Sequence, residues 1–568
     1  MAPDDINVKK SSLIVFGNKR LLAAVLVIQV ALLGVIGLNA MGLNLLLIQG
    51  IIGFIYLTFI PGILILRLLN VDICKLTNFL YAIGISVIFI ILIGLSTNLI
   101  YPLFSINDPL STGPMLVTIT VIITLLCFLV YKQNNTECLS LNADDLFSLN
   151  APYLFLLILP FLTLVGAYAT HYYFNNIILL FVLTILAIVP FFVAFDKIPK
   201  KLFPLAVFVI FLSLLFHNSL SVPYTAGRDL TTEYYYANLA NLNGIWIPGS
   251  AIILNSVVDN IMLGPIYSKL LGIDLTLILK TLYPFLFALV ALILYQVFKK
   301  QTNDKIAFFS CFFFASIGVN YEELLATLKH PISVFFISLF ILLMVDADIN
   351  LKKRAFLAML FITGLVFAHY GVPYVFMFSS LAALVLIRLA QGLGTFRIKK
   401  PLTSYYLFAF FASLLFSWSL YTSGSTGFDL IVKLVDTIFK SLLEFFSPIE
   451  RGGIFYSTIV LPGIGWEILR ILHFITIFLI LVGFASKLLE KLKNKEKGSN
   501  FNTEYFFYSV AFLGWLAASI IVPTIVGGHS LGTARMYGLG ILFLAPFCIL
   551  GWQKMVTSAY SLLKILIK

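Results

Sequence analysis

Apolar stretches of up to about 25 residues follow one another from residue 21 to residue 559, separated by short polar or charged connections. Within each stretch the apolar positions are continuous and lack the two-residue alternation of a half-buried strand. About 20 such residues cross the hydrocarbon core of a bilayer as one helix. No water is present there to satisfy the backbone, so only helices or closed barrels can span it. The pattern predicts an all-α polytopic transmembrane bundle of about sixteen spans. They lie at 21–41, 45–69, 78–101, 114–131, 152–170, 175–195, 202–217, 275–298, 306–320, 331–346, 355–369, 372–388, 402–421, 465–486, 505–527 and 536–559. The stretches at 202, 306 and 355 are among the shorter ones.

Composition agrees with this pattern. Of the 568 residues, 61% are hydrophobic and 11% are charged, whereas a soluble domain is about 45–50% apolar and about 25% charged. Mean hydropathy is +1.04. Soluble, disordered and disulfide-scaffold classes are excluded. The formal net charge is +12, which in a soluble protein would point to nucleic acid. Here the basic residues gather on one side of the bundle. They include Lys9, Lys10, Lys19 and Arg20, then Lys197, Lys200 and Lys201, then Lys299, Lys300 and Lys305. Lys352, Lys353 and Arg354, then Arg397, Lys399 and Lys400, and finally the run from Lys487 to Lys497 fall on the same side. Lys and Arg are enriched in cytoplasmic loops, so both termini are expected in the cytoplasm. The net charge then reports orientation, and no nucleic-acid partner is expected. The first apolar stretch is too long for a signal peptide and has no small-residue cleavage site, so it reads as a retained span of an integral cell-membrane protein.

The polar content divides the chain. Residues 1–200 carry little that is chemical and read as a scaffold of transmembrane helices. Residues 201–568 read as a core with two long outer loops, 218–274 and 422–464. In the second loop Asp429, Lys433, Asp436, Lys440 and Glu444 are spaced three or four apart, which places them on one face of a helix. That helix, over 428–446, is expected to lie in the membrane interface or on the rim of the bundle. The stretch from Asp259 to Leu271 is a weaker case of the same kind.

Charge near a bilayer is costly, about 2.5–3.5 kcal/mol at a helix centre on translocon scales, so ionisable groups there mark function or pairing. The outer-side groups form a short set. Arg228 and Asp229 follow the seventh span, and Asp229 with Glu233 would share one helix face. Glu322 and Glu323 follow the ninth span, and Lys329 with His330 opens the tenth. His369 and Tyr370 occupy a tight turn, and Glu450 and Arg451 flank a Gly pair. His529 and Arg535 link the last two spans. Paired carboxylates suit a general base or a divalent cation. Lys, His and Arg at helix starts suit a phosphate. Each group also has a bland reading as a helix cap, a solvated flank or an interfacial side chain. Their shared sidedness, across separate connections, favours chemistry on a phosphorylated lipid or its head group.

The segments GRDLTTEYYYANL, YEELLATLKH and GGHSLGTARMYG resemble the GT-C class of membrane glycosyltransferases. GRDLTTEYYYANL and AHYGVPYVF also resemble segments of an uncharacterised archaeal group of polytopic membrane proteins, over roughly residues 200–540. The GT-C resemblance implies a polyprenyl-phosphate-linked sugar as donor and an extracytoplasmic active face. It implies that Asp229 is the base or a metal ligand, with Glu322 and Glu323 as the acidic pair of the next outer loop. A divalent cation, magnesium or manganese, is the implied cofactor. The chain departs from the usual GT-C pattern in carrying its acidic loop after the seventh span and in lacking a C-terminal soluble domain.

The resulting expectation is an inverting transferase acting on a glycan, lipid or protein acceptor within the membrane lipid. Asp229 and Glu233 are its catalytic candidates. Arg228, Lys329, His330, His369, Tyr370, Glu450, Arg451, His529 and Arg535 are its substrate- and phosphate-binding candidates. Asp229, Glu322 and Glu323 are the metal candidates. The alternatives are a transporter or flippase of lipid-linked sugars and a non-catalytic assembly subunit of the membrane. A transporter would carry charges or broken helices at the midplane, where this sequence has few.

Overall fold

The structure is a computed structural model. It describes residues 13–16, 18–133, 139–142, 151–225, 227, 229–248, 256–323, 326–394, 400–423, 429, 432–433, 436, 440, 460–493, 501–521, 525–526, 529–530 and 533–566. A helix lies over each of the sixteen apolar stretches, and among the described residues the fold is all-α apart from two short two-stranded ribbons. The helices are α1 (Asn18–Ala40), α2 (Leu46–Leu68), α3 (Leu76–Ile100), α4 (Thr112–Lys132), α5 (Ala151–Tyr173), α6 (Ile177–Ala194) and α7 (Phe203–Leu220). Two helices of the first long loop follow, α8 (Leu230–Asn243) and α9 (Val258–Leu271). Next come α10 (Leu275–Gln301), α11 (Asp304–Ser316), α12 (Lys329–Val345), α13 (Leu351–Ala368), α14 (Val372–Gly392) and α15 (Tyr405–Ser423). The chain ends with α16 (Ile464–Lys493), α17 (Thr503–Ile521) and α18 (Thr533–Leu566). Among the described residues twelve helices are long and apolar enough to cross a membrane. Of the sixteen, α11, α12, α13 and α17 fall outside that group; α11 and α12 are shorter, at 13 and 17 residues.

Contacts divide the chain into two compact units, Met1–Ile158 with Ile266–Ile273, and Leu159–Pro265 with Asp274–Lys568. In the first unit α2 and α3 pack backbone to backbone. A Cβ at Gly62 would fall 1.8 Å from the Ala82 carbonyl oxygen, and the Gly62 N–H donates to Ser86 Oγ at 2.9 Å. Small residues allow such close approach of helices in lipid. Gln29 ties three helices together: its Nε2 donates to Thr124 Oγ1 at 3.0 Å, and its Oε1 accepts from the Tyr56 hydroxyl at 3.0 Å. Strands β1 (Leu13–Phe16) and β2 (Leu139–Asn142) pair antiparallel, Leu13 opposite Asn142.

In the second unit α10 is the central post, buried along most of its length and packed by α7, α11 and α12. Side-chain caps start three helices. Asp274 accepts from the Thr276 N–H at 2.8 Å, Asn303 from Ile306 at 3.0 Å and Asn350 from Lys353 at 3.0 Å, which satisfies donors that a helix start leaves open. Alternation of the spans brings the C-terminal ends of α7, α11 and α13 to the same end as the N-terminal ends of α12, α14 and α18. The opposite end is closed by ion pairs, Lys300 to Asp346 at 2.9 Å and Lys299 to Asp304 at 2.8 Å.

Two readings of the loops need adjustment. The described residues of the second-loop helix, Asp429, Val432, Lys433, Asp436 and Lys440, are helical and exposed, and Asp436 pairs with Lys440 at 2.7 Å. The other positions of 428–446 lie outside the described residues. The stretch from Asp259 to Leu271 is not an interfacial helix. From Val258 to Ser268 every residue of α9 is buried, so its polar residues face protein interior and not water.

Candidate functional site

The site is built where α8 meets the start of α12. Helix α8 begins after Asp229 and stops at Gly244, whose φ of +66° is the left-handed conformation that closes helices. Thr231 Oγ1 donates to the Gly227 carbonyl at 3.0 Å and steadies the first turn. Asp229 and Glu233 are one turn apart and point the same way. Both reach Lys329, whose Nζ lies 2.8 Å from Asp229 Oδ2 and 2.5 Å from Glu233 Oε1. Glu233 Oε2 also accepts the Leu328 N–H. The Lys329 and Glu233 side chains are each 1% exposed, and that of Asp229 is 32% exposed. Burial pushes the Glu233 carboxyl up from the ordinary glutamate range, and Lys329 and the Leu328 N–H pull it back. A lone buried charge is costly, whereas this one is paired and hydrogen-bonded. The Tyr370 ring lies 5.3 Å from Lys329 Nζ and adds a cation–π contact.

Two histidines continue the site inward. His330 and His369 lie edge to face with ring centroids 5.5 Å apart. His369 ends α13, and its Nδ1 accepts the N–H of Gly371 at 2.9 Å and of Val372 at 3.3 Å. An accepting Nδ1 puts the proton on Nε2 in the neutral ring. The charges of Lys329 and Arg535 and the His330 ring act on the buried His369. Arg535 stands half-buried in the first turn of α18. Its charge acts on His330, His369 and Tyr370.

Two residues that the sequence reading did not single out for chemistry complete the interior. Asp259 and Asn260 open α9 and are 0% and 2% exposed. Both amide heteroatoms of Asn260 lack a hydrogen-bond partner, as does His330 Nε2, and the Asp259 carboxylate faces the backbone N–H groups of Asp259 and Asn260. Glu233 and Lys329 act electrostatically on Asp259, and burial pushes its carboxyl well above the ordinary aspartate range. Trp418 Nε1 donates to the Ser256 carbonyl at 3.2 Å, which holds the chain just before Asp259, and Trp246 stacks near Trp418 with centroids 6.3 Å apart. The available signal was an Asp-Asn pair inside an otherwise apolar run.

Beside this interior is a cavity of about 340 Å³ lined by His217, Tyr224, Lys280, Tyr283, Glu322 and Leu328. Leu328 separates the cavity from Lys329 in sequence, and Leu230 of α8 also borders it. Lys280 donates to the Val222 carbonyl, which fixes the end of α7. Glu322 therefore faces the cavity, while Asp229 holds Lys329. Among the described residues no three His, Cys, Asp or Glu side chains are grouped to hold a metal ion. As a donor set, Asp229 with Glu322 does not fit one divalent cation, because Asp229 is already engaged by an ammonium.

The structure thus gathers Asp229, Glu233, Lys329, His330, His369, Tyr370 and Arg535. Only the backbone of Glu323 is described; it closes a short π-helical segment. The backbone of His529 lies in a two-residue strand opposite Val526. Arg228, Glu450 and Arg451 lie outside the described residues.

Residues 354–568 match the model of a family described as predicted membrane protein (DUF2206). The match runs from the first turn of α13 to the C-terminus, so it includes His369, Tyr370 and Arg535 and ends short of Asp229, Glu233 and Lys329. With the twelve candidate spans, it identifies a polytopic membrane protein. No curated protein and no solved structure matches the chain.

Proposed function

We propose that the protein is a membrane glycosyltransferase, moving a sugar from a polyprenyl-phosphate donor to an acceptor hydroxyl on the extracytoplasmic face of the cell membrane. The observation that carries this reading is the division of labour in the buried acid pair. Glu233 spends both oxygens on Lys329 and the Leu328 N–H and is buried, while Asp229, paired with the same Lys329, keeps a partly exposed side chain. The Lys329 ammonium lies 2.8 Å from Asp229, and a neighbouring ammonium favours the carboxylate form that a general base uses.

The acceptor oxygen attacks C1 of the sugar, and its proton passes to Asp229. The bond from C1 to the phosphate oxygen breaks with its electron pair, which leaves on polyprenyl phosphate, and the anomeric centre inverts. Arg535 meets the charge that grows on the phosphate, where a donor aimed at developing charge contributes most. Lys329 is taken by the carboxylates, so its role is to hold Asp229 in place. His369, neutral at Nδ1 and protonated at Nε2, and His330 line the path between them. Among the described residues, Asp229 and Glu322 do not fit one divalent cation, because Asp229 is engaged by the Lys329 ammonium. The acceptor is a glycan, lipid or protein hydroxyl that reaches Asp229.

The test is transfer by the full-length protein in proteoliposomes supplied with radiolabelled polyprenyl-phosphate sugars, read as release of polyprenyl phosphate. Asp229→Asn is expected to slow release by about 10² to 10⁴ fold, the range of general base catalysis. Release near the wild-type rate removes Asp229 from the chemistry. Head-group translocation without product would replace the transferase reading with the transporter one.

A further inference from the structure

Helix α18 has 34 residues, so at 1.5 Å per residue it is about 51 Å long. The hydrocarbon core of a bilayer is about 30 Å thick, and the excess must emerge at one end. Arg535 opens α18 at the end where α12 and α14 also begin. The opposite end is marked by Phe547, whose ring centroid lies 5.3 Å from that of Phe501. The next residue, Asn502, donates to Gln301 Oε1 at 3.2 Å and to the Met344 carbonyl at 3.1 Å. That is the end closed by Lys300 and Asp346. Gly551 meets the Leu479 backbone of α16, and beyond it α18 leaves the bundle. Every residue from Trp552 to Lys564 is exposed.

The emerging segment has two faces. At 100° per residue, Trp552, Met555, Val556, Tyr560, Leu562 and Leu563 fall within an arc of about 160°. Their exposures run from 40% to 70%. Gln553, Lys554, Thr557, Ser558, Ser561 and Lys564 occupy the remaining arc. An apolar patch of this extent outside the hydrocarbon marks a docking surface. Charge selects what docks there. The charged side chains of the two faces are both lysines, and no Asp or Glu follows Glu504 in the sequence. A second copy of the helix would bring lysines together with no acid to pair beside the seam. The apolar arc is also wider than the two-in-seven stripe of a helix pair. A basic polar face opposite an apolar face bearing Trp and Leu suits the surface of an anionic membrane.

We propose that residues 552–566 are an interfacial helix that binds anionic phospholipid head groups in the leaflet opposite Arg535. The apolar face lies at the boundary of head groups and acyl chains, and Lys554 and Lys564 meet the head groups. Lying on the leaflet requires the axis to bend after Gly551, where the backbone yields most readily. The contact anchors one end of the helix that carries Arg535 at the other.

Hydrogen exchange of the full-length protein in nanodiscs tests this, because a helix standing in water opens more often than one docked on lipid. One disc is phosphatidylcholine alone, and the other is phosphatidylcholine mixed with phosphatidylglycerol. Amides of residues 552–566 are expected to exchange about tenfold more slowly in the charged disc, the effect of two lysines at an anionic surface. Added salt should erase the difference in wild-type protein. The double variant Lys554→Glu with Lys564→Glu should erase it too, while the amides of α10 stay protected and show that the bundle is folded. Equal exchange in the two discs overturns the proposal. So does a difference that survives both salt and the double variant, since the lipid then acts elsewhere. Protection that appears only in discs holding two copies of the chain gives the apolar face to a second copy and also overturns it. The salt arm on wild-type protein decides the matter even where the variant does not fold.

Discussion

Lys329 Nζ lies 2.5 Å from Glu233 Oε1, with both side chains 1% exposed, although 96 residues separate them in the chain. The pair joins the first long-loop helix to the start of a membrane helix. It converts two groups that would be intolerable alone into one anchored unit with Asp229 at its edge.

Breaking one side of this pair should be far worse than replacing both. Removing one partner of a buried ion pair costs about 3–5 kcal/mol, whereas an apolar replacement of both is close to neutral. Lys329→Met is therefore expected to lower the unfolding temperature in detergent sharply. The double variant Lys329→Met with Glu233→Leu should recover much of that loss and still fail in transfer, because Asp229 has lost its ammonium. Equal destabilisation by the single and double variants would show that the pair is not the element holding α8.

The contrast between these two residues and the rest of the site shows what the sequence could reveal. Apolar runs are a local signal, and a helix stands over each of the sixteen stretches. The i, i+4 spacing of Asp229 and Glu233 is also local, and the two carboxylates do point the same way. Their partner is not local. Lys329 reads as a phosphate ligand from its place at a helix start, and only tertiary packing turns it towards the acids. Asp259 and Asn260 fail for a different reason. Periodicity tells that a polar residue recurs on a helix face, but not whether that face meets water or a buried chamber. On α9 it meets the interior, so a stretch with the look of an amphipathic helix is buried on all sides.

The buried Asp259 carboxyl should leave a mark on the pH dependence of stability. Its pKa in the folded protein is raised well above 3.8 by burial. The folded state thus binds the proton more tightly than the unfolded chain. The stability linked to this group is present below the ordinary aspartate range and is lost as pH rises through it towards the folded value, at up to about 1.4 kcal/mol per pH unit. Asp259→Asn has no proton to lose. Thermal unfolding of the sugar-free protein between pH 4 and 7 is expected to fall more steeply for wild type than for Asp259→Asn. Parallel curves would mean that the carboxyl is ionised or solvated in the folded state.

Arg535 owes its position to α18, and α18 is fixed by glycines far from the site. A Cβ at Gly483 would fall 1.9 Å from the Phe547 carbonyl oxygen, and one at Gly551 would fall 2.0 Å from the Leu479 carbonyl oxygen. These are backbone atoms, so no side-chain rotation relieves the clash, and α16 must separate from α18. In lipid the hydrophobic effect does not restore such a contact, since close packing itself drives helix association. Gly483→Ala and Gly551→Ala are each expected to cost about 1–3 kcal/mol, the usual range for overpacking. Gly514→Ala is the matched control, because its Cβ would meet nothing within 4 Å. Loosening α18 also shifts Arg535 relative to His330 and His369, so affinity for bare polyprenyl phosphate should drop in the two packing variants and stay at the wild-type value in Gly514→Ala. Unfolding temperature and lipid affinity measured on the same preparations check both halves. Retained stability in Gly483→Ala would show that α16 and α18 do not meet along this glycine seam.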